Sequence, residues 1–204
     1  MKRLFILSSA LIALTLFTTQ LFAAAKVGET APNFSEAASD GKTYNLSSYQ
    51  GKFVVLEWHN QGCPYTAKHY ESGNMQKLQK EWTTKGVTWF TVISSAQGTQ
   101  GYVNASDENS YLAKMKAAPT AALLDPSGQL GHMYGAKTTP HMFVINPQGK
   151  LIYDGAIDDR PTTDESDING AKNYVSLALS EAMAGKPVST ATTRAYGCSV
   201  KYGN

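Results

Sequence analysis

Two cysteines are the residues of this chain best suited to covalent chemistry. The 204-residue sequence contains only Cys63, in the stretch "EWHNQGCPYTAKHY", and Cys198, in "YGCSVKYGN" at the C-terminus. A thiolate is a strong nucleophile, and a pair of thiols exchanges electrons by forming a disulfide. Cys63 therefore has three possible roles to compare: a reactive thiol, a metal ligand, or half of a structural disulfide.

The residues around Cys63 favour a reactive thiol. The apolar run "FVVLEW", residues 53–58, predicts a buried strand that ends shortly before Cys63. Pro64 suits the first position of a helix, where its missing N–H is not needed. The free N–H groups and the dipole at a helix start stabilise a thiolate, so we expect a pKa below the usual value of about 8.5. The hydroxyl of Thr66 is placed to donate a further hydrogen bond to the sulfur.

The histidines near Cys63 are the reason to consider a metal site. His69 lies six residues after Cys63, about 240° around a helix, so the two side chains do not share a face. Zinc sites need three or four converging ligands. Cys63, His59 and His141 are candidates to converge, but no acidic ligand accompanies them. We therefore expect no metal and no other cofactor.

Cys198 follows Cys63 by 135 residues and leaves several roles open. It is either a structural or unpaired thiol, or a resolving cysteine that condenses with a sulfenic acid on Cys63 to form a disulfide. The two cysteines could equally rest as a disulfide that an electron donor opens. The sequence leaves open whether the tail folds back onto its own chain or reaches a partner chain, and it leaves the oligomeric state open.

The first 25 residues have the pattern of a secretory signal peptide. Lys2 and Arg3 give a positive start, residues 4–22 are mostly apolar, and Ala23, Ala24 and Ala25 supply small residues for a peptidase. The alternative is an uncleaved membrane anchor, against which the polar interruptions and the alanine run argue. We expect an exported, periplasmic protein with no membrane contact after cleavage.

Charge and composition exclude further classes of function. The 18 basic residues exceed the 16 acidic ones by two, and both extra cations lie in the predicted leader. No block of like charge stands out, so we expect no nucleic-acid partner. A hydrophobic fraction of 42% is enough to build the core of a folded domain.

Beyond the leader, buried strands alternate with helices, a pattern typical of an α/β fold. A hairpin is predicted around Asp40-Gly41, a second hairpin joins two late strands, and the tail has no clear period. The predicted strands are 53–58, 87–95, 120–125, 141–146 and 150–157; the predicted helices are 66–84, 107–117, a short one at "QLGHMYGA", and 171–184. These elements predict a mixed central sheet flanked by helices, with an N-terminal hairpin extension.

Four motifs in order carry a resemblance to a known group: "GETAPNF", "VVLEWHNQGCPY", "TTPHMFVI" and "YDGAI". From about Val27 to Tyr202 the chain resembles the thioredoxin-like superfamily, in its peroxiredoxin-like branch of exported redoxins and alkyl hydroperoxide reductase-like proteins. The resemblance implies a thioredoxin-like domain over residues 26–186 and a tail, 187–204, that carries Cys198. It also implies that Cys63 is the nucleophile and that Pro140 is the cis-proline packed against it.

The chain departs from this group at three positions. Thr66 stands where thioredoxins have their second cysteine, which argues against cycling through a local disulfide. Asn60 and Leu56 stand where peroxiredoxins have a threonine that orients peroxide and a proline. These departures argue against both of the usual activities of the superfamily, reduction through a local disulfide and efficient reaction with peroxide.

Topology suggests further residues for the site. The segment "DGAIDDR" is expected to end near Cys63, which makes Arg160 a candidate to stabilise the thiolate. The alternative is a surface arginine paired with Asp158 or Asp159. A binding groove beside the sulfur is expected to involve Trp58, Tyr65, Thr139, Pro140 and His141.

Three functions follow from these expectations. The first is an antioxidant thiol peroxidase, in which Cys63 attacks peroxide and Cys198 or an external thiol resolves the product. The second is a thiol-disulfide oxidoreductase acting on exported proteins. The third is a non-catalytic binding module with a thioredoxin fold. The expected partners are a peroxide or protein disulfide substrate and an external thiol reductant.

Overall fold

A computed structural model describes residues 24–203 of the protein. The expected signal peptide falls almost wholly outside the described residues. Within residues 24–203, no helix combines the length and apolar character that crossing a bilayer requires.

The described chain contains nine strands, five α-helices and two short 3-10 helices. The strands are β1 (Ser35–Ala37), β2 (Thr43–Asn45), β3 (Val54–Trp58), β4 (Thr88–Ile93), β5 (Ala121–Leu124), β6 (Thr138–Thr139), β7 (His141–Ile145), β8 (Leu151–Gly155) and β9 (Cys198–Ser199). The helices are α1 (Pro64–Glu71), α2 (Asn74–Thr84), α3 (Ala105–Met115), α4 (Gln129–Tyr134) and α5 (Tyr174–Met183), with 3-10 helices at Leu46–Tyr49 and Glu165–Ile168.

A five-stranded mixed sheet forms the centre of the fold, in the order β5-β4-β3-β7-β8. Strands β3, β4 and β5 are parallel, whereas β7 runs antiparallel to β3 and to β8. One face packs against α1, α2 and α5, and the other against α4 and the N-terminal hairpin. Because both faces are covered, β3 and β4 are buried along their whole length, which explains their continuous apolar sequences. The predicted α/β fold is confirmed.

The predicted N-terminal hairpin is present as β1 and β2, which pair antiparallel on either side of Asp40-Gly41. The Tyr44 ring packs edge-on against Phe90 of β4, with centroids 5.3 Å apart. The hairpin therefore closes one face of the sheet.

The long helix expected over residues 66–84 is two helices, and this expectation was wrong. Gly73 has a φ of 75°, a left-handed conformation that ends the run of helical hydrogen bonds between α1 and α2. The first helix also begins earlier, at Pro64, which makes Cys63 its N-cap residue. The helix that carries the site is consequently short, and buried contacts with the sheet hold it in place.

One of these contacts is a buried carboxyl group in the central strand. Glu57 of β3 is fully buried and accepts hydrogen bonds from Tyr70 Oη at 2.8 Å and from Trp89 Nε1 at 2.7 Å. Gln79 Nε2 of α2 donates a third hydrogen bond to it, at 3.0 Å. These bonds tie α1 and α2 to the sheet directly behind the loop that leads to Cys63.

Because Glu57 is buried, its ionisation makes the free energy of unfolding depend on pH. Burial raises the pKa of Glu57 from 4.5 to about 7, although the hydrogen bonds of Trp89, Tyr70 and Gln79 favour the charged form. Between pH 4.5 and 7 the folded chain therefore holds a proton that the unfolded chain has lost. The free energy of unfolding consequently falls as the pH rises through this window.

We predict that Glu57→Gln removes this pH dependence. Relative to the unmodified protein, the variant should gain stability from pH 5 to pH 7, by up to about 1.4 kcal/mol per pH unit. Urea unfolding at the two pH values measures the difference. Glu29→Gln, at a side chain that is 63% exposed, serves as the control and should change little. Parallel pH profiles for Glu57→Gln and the unmodified protein would contradict the prediction.

Candidate active site

Cys63 lies at the junction of β3 and α1, at the N-cap of the helix. Its backbone N–H donates to the Asn60 carbonyl at 3.0 Å, and its carbonyl accepts from Ala67 N–H at 2.8 Å. The thiol group is completely shielded from solvent. The local sequence therefore produces a thiol at a helix start, as expected, but a buried one.

Asn60 fixes the loop between β3 and Cys63. Its side-chain nitrogen donates to Gln100 Oε1 at 3.0 Å, and its side-chain oxygen accepts from Gly62 N–H at 2.8 Å. This is the position at which peroxiredoxins carry their threonine. Both polar ends of the Asn60 amide are used to hold the loop.

The C-terminal tail folds back onto its own chain at Cys63. Strand β9 pairs antiparallel with β6, with Cys198 opposite Thr139 and Ser199 opposite Thr138. The Cys63 thiol donates to the Thr139 carbonyl at 3.0 Å. Because Cys198 pairs with the same residue, it lies beside Cys63, close enough for each thiol to shift the pKa of the other. The peptide bond between Thr139 and Pro140 is cis, as the resemblance implied. Both cysteines are present as thiols.

The surroundings of the two thiols give them opposite ionisation behaviour. Burial alone would raise the pKa of Cys63, but hydrogen bonds from Cys198, Thr139 and the backbone N–H of Thr66 outweigh burial and lower it. The pKa of Cys198 is raised by burial and by its contact with Cys63. Cys63 therefore ionises first, and Cys198 keeps the proton that it donates to the thiolate.

Two threonine residues contribute to the surroundings of the Cys63 sulfur. The Oγ1 atoms of Thr66 and Thr139 are buried and have no hydrogen-bond partner within residues 24–203. In the thiol form the sulfur donates to the Thr139 carbonyl instead. Once the thiol ionises, the Thr139 hydroxyl can donate to the thiolate, whereas Thr66 contributes through its backbone N–H.

Gly197 allows the tail to approach this closely. Its φ is 133°, a conformation that side-chain-bearing residues rarely adopt. A Cβ atom added at this position would overlap the carbonyl oxygen of Thr139. A glycine directly before Cys198 is therefore a steric requirement for the pairing of β9 with β6.

Arg160 does not reach the thiol. Its side chain is 51% exposed, and its Nε lies 3.6 Å from an Asp159 carboxylate oxygen. Its carbonyl accepts a hydrogen bond from the buried Lys68 ammonium at 2.9 Å. Arg160 is therefore a surface arginine beside Asp159, which was the alternative expectation, because the chain reaches the surface after the buried Asp158.

Two residues expected in the groove belong to the core instead. Trp58 is fully buried, and its indole N–H donates to Ser94 Oγ at 3.0 Å. His141 uses both ring nitrogens within the fold: Nε2 lies 2.8 Å from Asp154 Oδ1, and Nδ1 accepts from Lys137 N–H at 3.2 Å. Neither side chain is free to contact a ligand, so the structure corrects these two expectations.

Tyr65 and Tyr196 each lie two residues from one of the two cysteines in the chain. The half-buried Tyr65 of α1 packs edge-on against Tyr196 of the tail, with ring centroids 5.9 Å apart. Tyr196 was missed from the sequence, although a tyrosine two residues before the second cysteine is a visible signal. Its hydroxyl reaches the buried carboxylate of Asp158.

The candidate metal ligands do not converge. His59 lies between the rings of Tyr70 and Tyr111, with centroids 4.9 and 5.1 Å away, and burial lowers its pKa to about 3. Within residues 24–203, no three His, Cys, Asp or Glu side chains are grouped to hold a metal ion.

Known proteins resemble this chain in both sequence and fold. The redoxin family model matches residues 26–172. The thiol-disulfide oxidoreductase ResA of Bacillus thuringiensis is 27% identical over 127 residues, which are 62% of this chain and 68% of ResA.

Two solved structures extend the comparison. A hypothetical protein of Sinorhizobium meliloti superposes with a TM-score of 0.73 at 19% identity, covering 89% of this chain and 97% of that protein. A candidate thiol:disulfide interchange protein DsbE of Chlorobium tepidum superposes with a TM-score of 0.53 at 25% identity, covering 64% of this chain and 85% of the other.

The mixed sheet, the thiol at a helix start and the neighbouring cis-proline define a thioredoxin-like oxidoreductase. The family match covers most of the chain, and the chain belongs to the redoxin family.

We predict that Gly197→Ala separates the two cysteines. The added methyl group overlaps the Thr139 carbonyl, and the strained backbone costs a further 1–3 kcal/mol or so, which should lift β9 from β6. The alkylation rate of Cys63 by iodoacetamide in the reduced protein, followed by mass spectrometry, should then rise by about tenfold or more.

A second glycine supplies the control for this prediction. Gly149 in the turn between β7 and β8 has a φ of 74°, but a Cβ there would meet open space. Gly149→Ala carries similar backbone strain without the overlap, so Cys63 should keep its normal alkylation rate. An equal rise in both variants would show that general destabilisation, and not the tail contact, governs the exposure of Cys63.

Proposed function

We propose that this protein is a thiol-disulfide oxidoreductase in which Cys63 and Cys198 form the redox pair. The observation that carries the proposal is the pairing of β9 with β6, which brings Cys198 beside Cys63 at their shared neighbour Thr139. The similarity to ResA and to a DsbE-type protein supports the same class of reaction.

The exchange begins at Cys63. Its thiolate attacks one sulfur of a substrate disulfide, and the other substrate sulfur leaves as a thiolate and takes up a proton. A mixed disulfide now joins Cys63 to the substrate. Cys198 then loses its proton and attacks the Cys63 sulfur, which releases the second substrate thiol.

The complete exchange transfers two electrons and two protons. The substrate disulfide is reduced to two thiols, and the two cysteines are oxidised to one disulfide. An external thiol reductant returns the pair to its reduced form by the same two steps in reverse. Thioredoxins have their second cysteine at the position that Thr66 occupies here. In this scheme Cys198 takes the role of that second cysteine.

The thiol peroxidase expectation has less support. Asn60, at the position of the peroxide-orienting threonine, is bonded to Gln100 and Gly62, and the Arg160 guanidinium lies at the surface. The relatives with a named activity are thiol-disulfide oxidoreductases. A lowered pKa on a thiol that contacts a second thiol favours chemistry over a purely binding role.

We also propose that the protein acts outside the cytoplasm. Residues 1–25 have the signal-peptide pattern, which leaves a domain over 26–186 and a tail over 187–204. Exported compartments are oxidising and hold the protein disulfides that such an enzyme would act on.

We predict that reduced protein mixed with oxidised glutathione forms a Cys63–Cys198 disulfide and releases two equivalents of glutathione. Cys198→Ser should stop after one equivalent, with glutathione bound to Cys63, because the second attack is missing. Cys63→Ser should react at least about tenfold more slowly, because Cys198 lies in a strand and not at a helix start, and burial raises its pKa. Peptide mass spectrometry identifies each product.

Hydrogen peroxide at the same concentration is the comparison. The proposal requires that the glutathione disulfide oxidises Cys63 faster than peroxide does. Rapid formation of a Cys63 sulfenic acid, together with slow reaction with disulfides, would contradict the proposed function and support a thiol peroxidase.

A further inference from the structure

Cys198 is carried by an extended strap, residues 191–203, that is fastened on both sides of the cysteine. Before Cys198, Thr193 N–H donates to the Asp154 carbonyl at 3.1 Å. After it, Val200 N–H donates to the Lys137 carbonyl at 3.0 Å, and Tyr202 Oη donates to the Ala136 carbonyl at 2.7 Å. These hydrogen bonds therefore hold the strap across the site, with Cys198 beside Cys63.

Tyr196 makes a different kind of contact from the rest of the strap. Its hydroxyl donates to Asp158 Oδ1 at 2.5 Å, and Asp158 is only 2% exposed. The other fastening bonds join neutral groups, whereas this one is charge-assisted and buried, which makes it roughly twice as strong as a neutral bond.

Residues of the folded domain form the binding site for the Tyr196 hydroxyl. Arg160 N–H donates to Asp158 Oδ1 at 2.9 Å. The ring nitrogen Nε2 of His69 lies 3.9 Å from Asp158 Oδ2 and 3.4 Å from Tyr196 Oη. Asn74 Nδ2 donates to His69 Nδ1 at 2.8 Å, so the neutral ring carries its proton on Nε2 and directs it at this pair.

Tyr196 lies close enough to Cys198 to control its position. Only Gly197 separates them, and Gly197 packs directly on the Thr139 carbonyl, to which Cys63 also donates. A shift of Tyr196 must therefore move Cys198 relative to the Cys63 sulfur.

We propose that Tyr196 is a positioning residue for exchange between Cys63 and Cys198. Its hydroxyl, held by Asp158 and His69, docks the strap so that Cys198 lies against the Cys63 sulfur and shields it. The role rests on the proposed redox pair. Because Cys63 is fully buried, an external disulfide reaches it only when the strap opens. Tyr196 thereby sets the balance between the open form that accepts substrate and the closed form that makes the internal disulfide.

The reaction of the reduced protein with Ellman's disulfide separates these two forms. Attack by Cys63 on the reagent releases one thionitrobenzoate and requires the open strap. Attack by Cys198 on the mixed disulfide releases the second and requires the docked strap. The two releases are followed as two phases by absorbance, and Cys198→Ser identifies the second phase by its loss.

We predict that Tyr196→Phe changes the two phases in opposite directions. The first release should become about tenfold faster and the second up to about tenfold slower, the size expected for the loss of one charge-assisted hydrogen bond. A variant that was merely less stable would not slow one phase while it accelerates the other.

Two further variants test the contact itself. Asp158→Asn should change both phases in the same directions as Tyr196→Phe, and the double variant should go no further than the stronger single one, because both remove the same bond. Tyr44→Phe is the matched control: its hydroxyl also donates to a carboxylate, Asp40 Oδ2 at 2.8 Å, but in the remote N-terminal hairpin. Both phases should be unchanged in that variant.

The outcomes distinguish this role from the proposed function. If the unmodified protein releases only one thionitrobenzoate, the redox pair itself is overturned, and the positioning role with it. If it shows both phases and these are unaltered in Tyr196→Phe and Asp158→Asn, the pair stands and the positioning role is overturned. Opposite shifts in both variants, absent from Tyr44→Phe, support it.

Discussion

The antiparallel pairing of β9 with β6 is the contact on which the candidate site depends. It places Cys198 opposite Thr139, whose carbonyl accepts the hydrogen bond from Cys63. The tail is thus held beside Cys63 by its backbone pairing with the residue to which the Cys63 thiol donates. The approach is close enough to require glycine at position 197. One short backbone ladder therefore brings together two cysteines that lie 135 residues apart in the chain.

This arrangement makes two identical side chains chemically unequal. Cys63 lies at the start of a helix, where N–H groups and a neighbouring thiol favour its thiolate against the effect of burial. Cys198 is less buried than Cys63, but its partial burial and the neighbouring Cys63 raise its pKa. Cys63 consequently ionises more readily than Cys198, which is the difference that the proposed exchange requires. The burial of Cys63 adds a second constraint, because reaction with any external group then depends on the strap.

The sequence predicted the part of the site that consecutive residues form. It did not predict the side-chain positions that depend on residues distant in the chain. The strand, loop and helix start around Cys63 are consecutive in the chain, so apolar patterning and Pro64 were enough to place Cys63 at the start of a helix. Arg160, Trp58 and His141 were expected beside the sulfur because their strands or loops end there. The position of a backbone does not determine where a side chain points: Trp58 turns into the core, His141 bonds to Asp154, and Arg160 faces solvent.

The sequence by itself determined the α/β class, the order of the sheet-forming segments, the turn at Asp40-Gly41 and the placement of Cys63 at a helix start. Each of these follows from hydrophobic periodicity or from neighbouring residues. Only the tertiary structure decided the position of the tail, the placement of Cys198 opposite Thr139 and the break at Gly73. The tail has no periodicity because its contacts are made one at a time with Thr139, Asp158 and other groups far away in the chain. Those groups form a complementary surface only after the sheet and its helices have assembled.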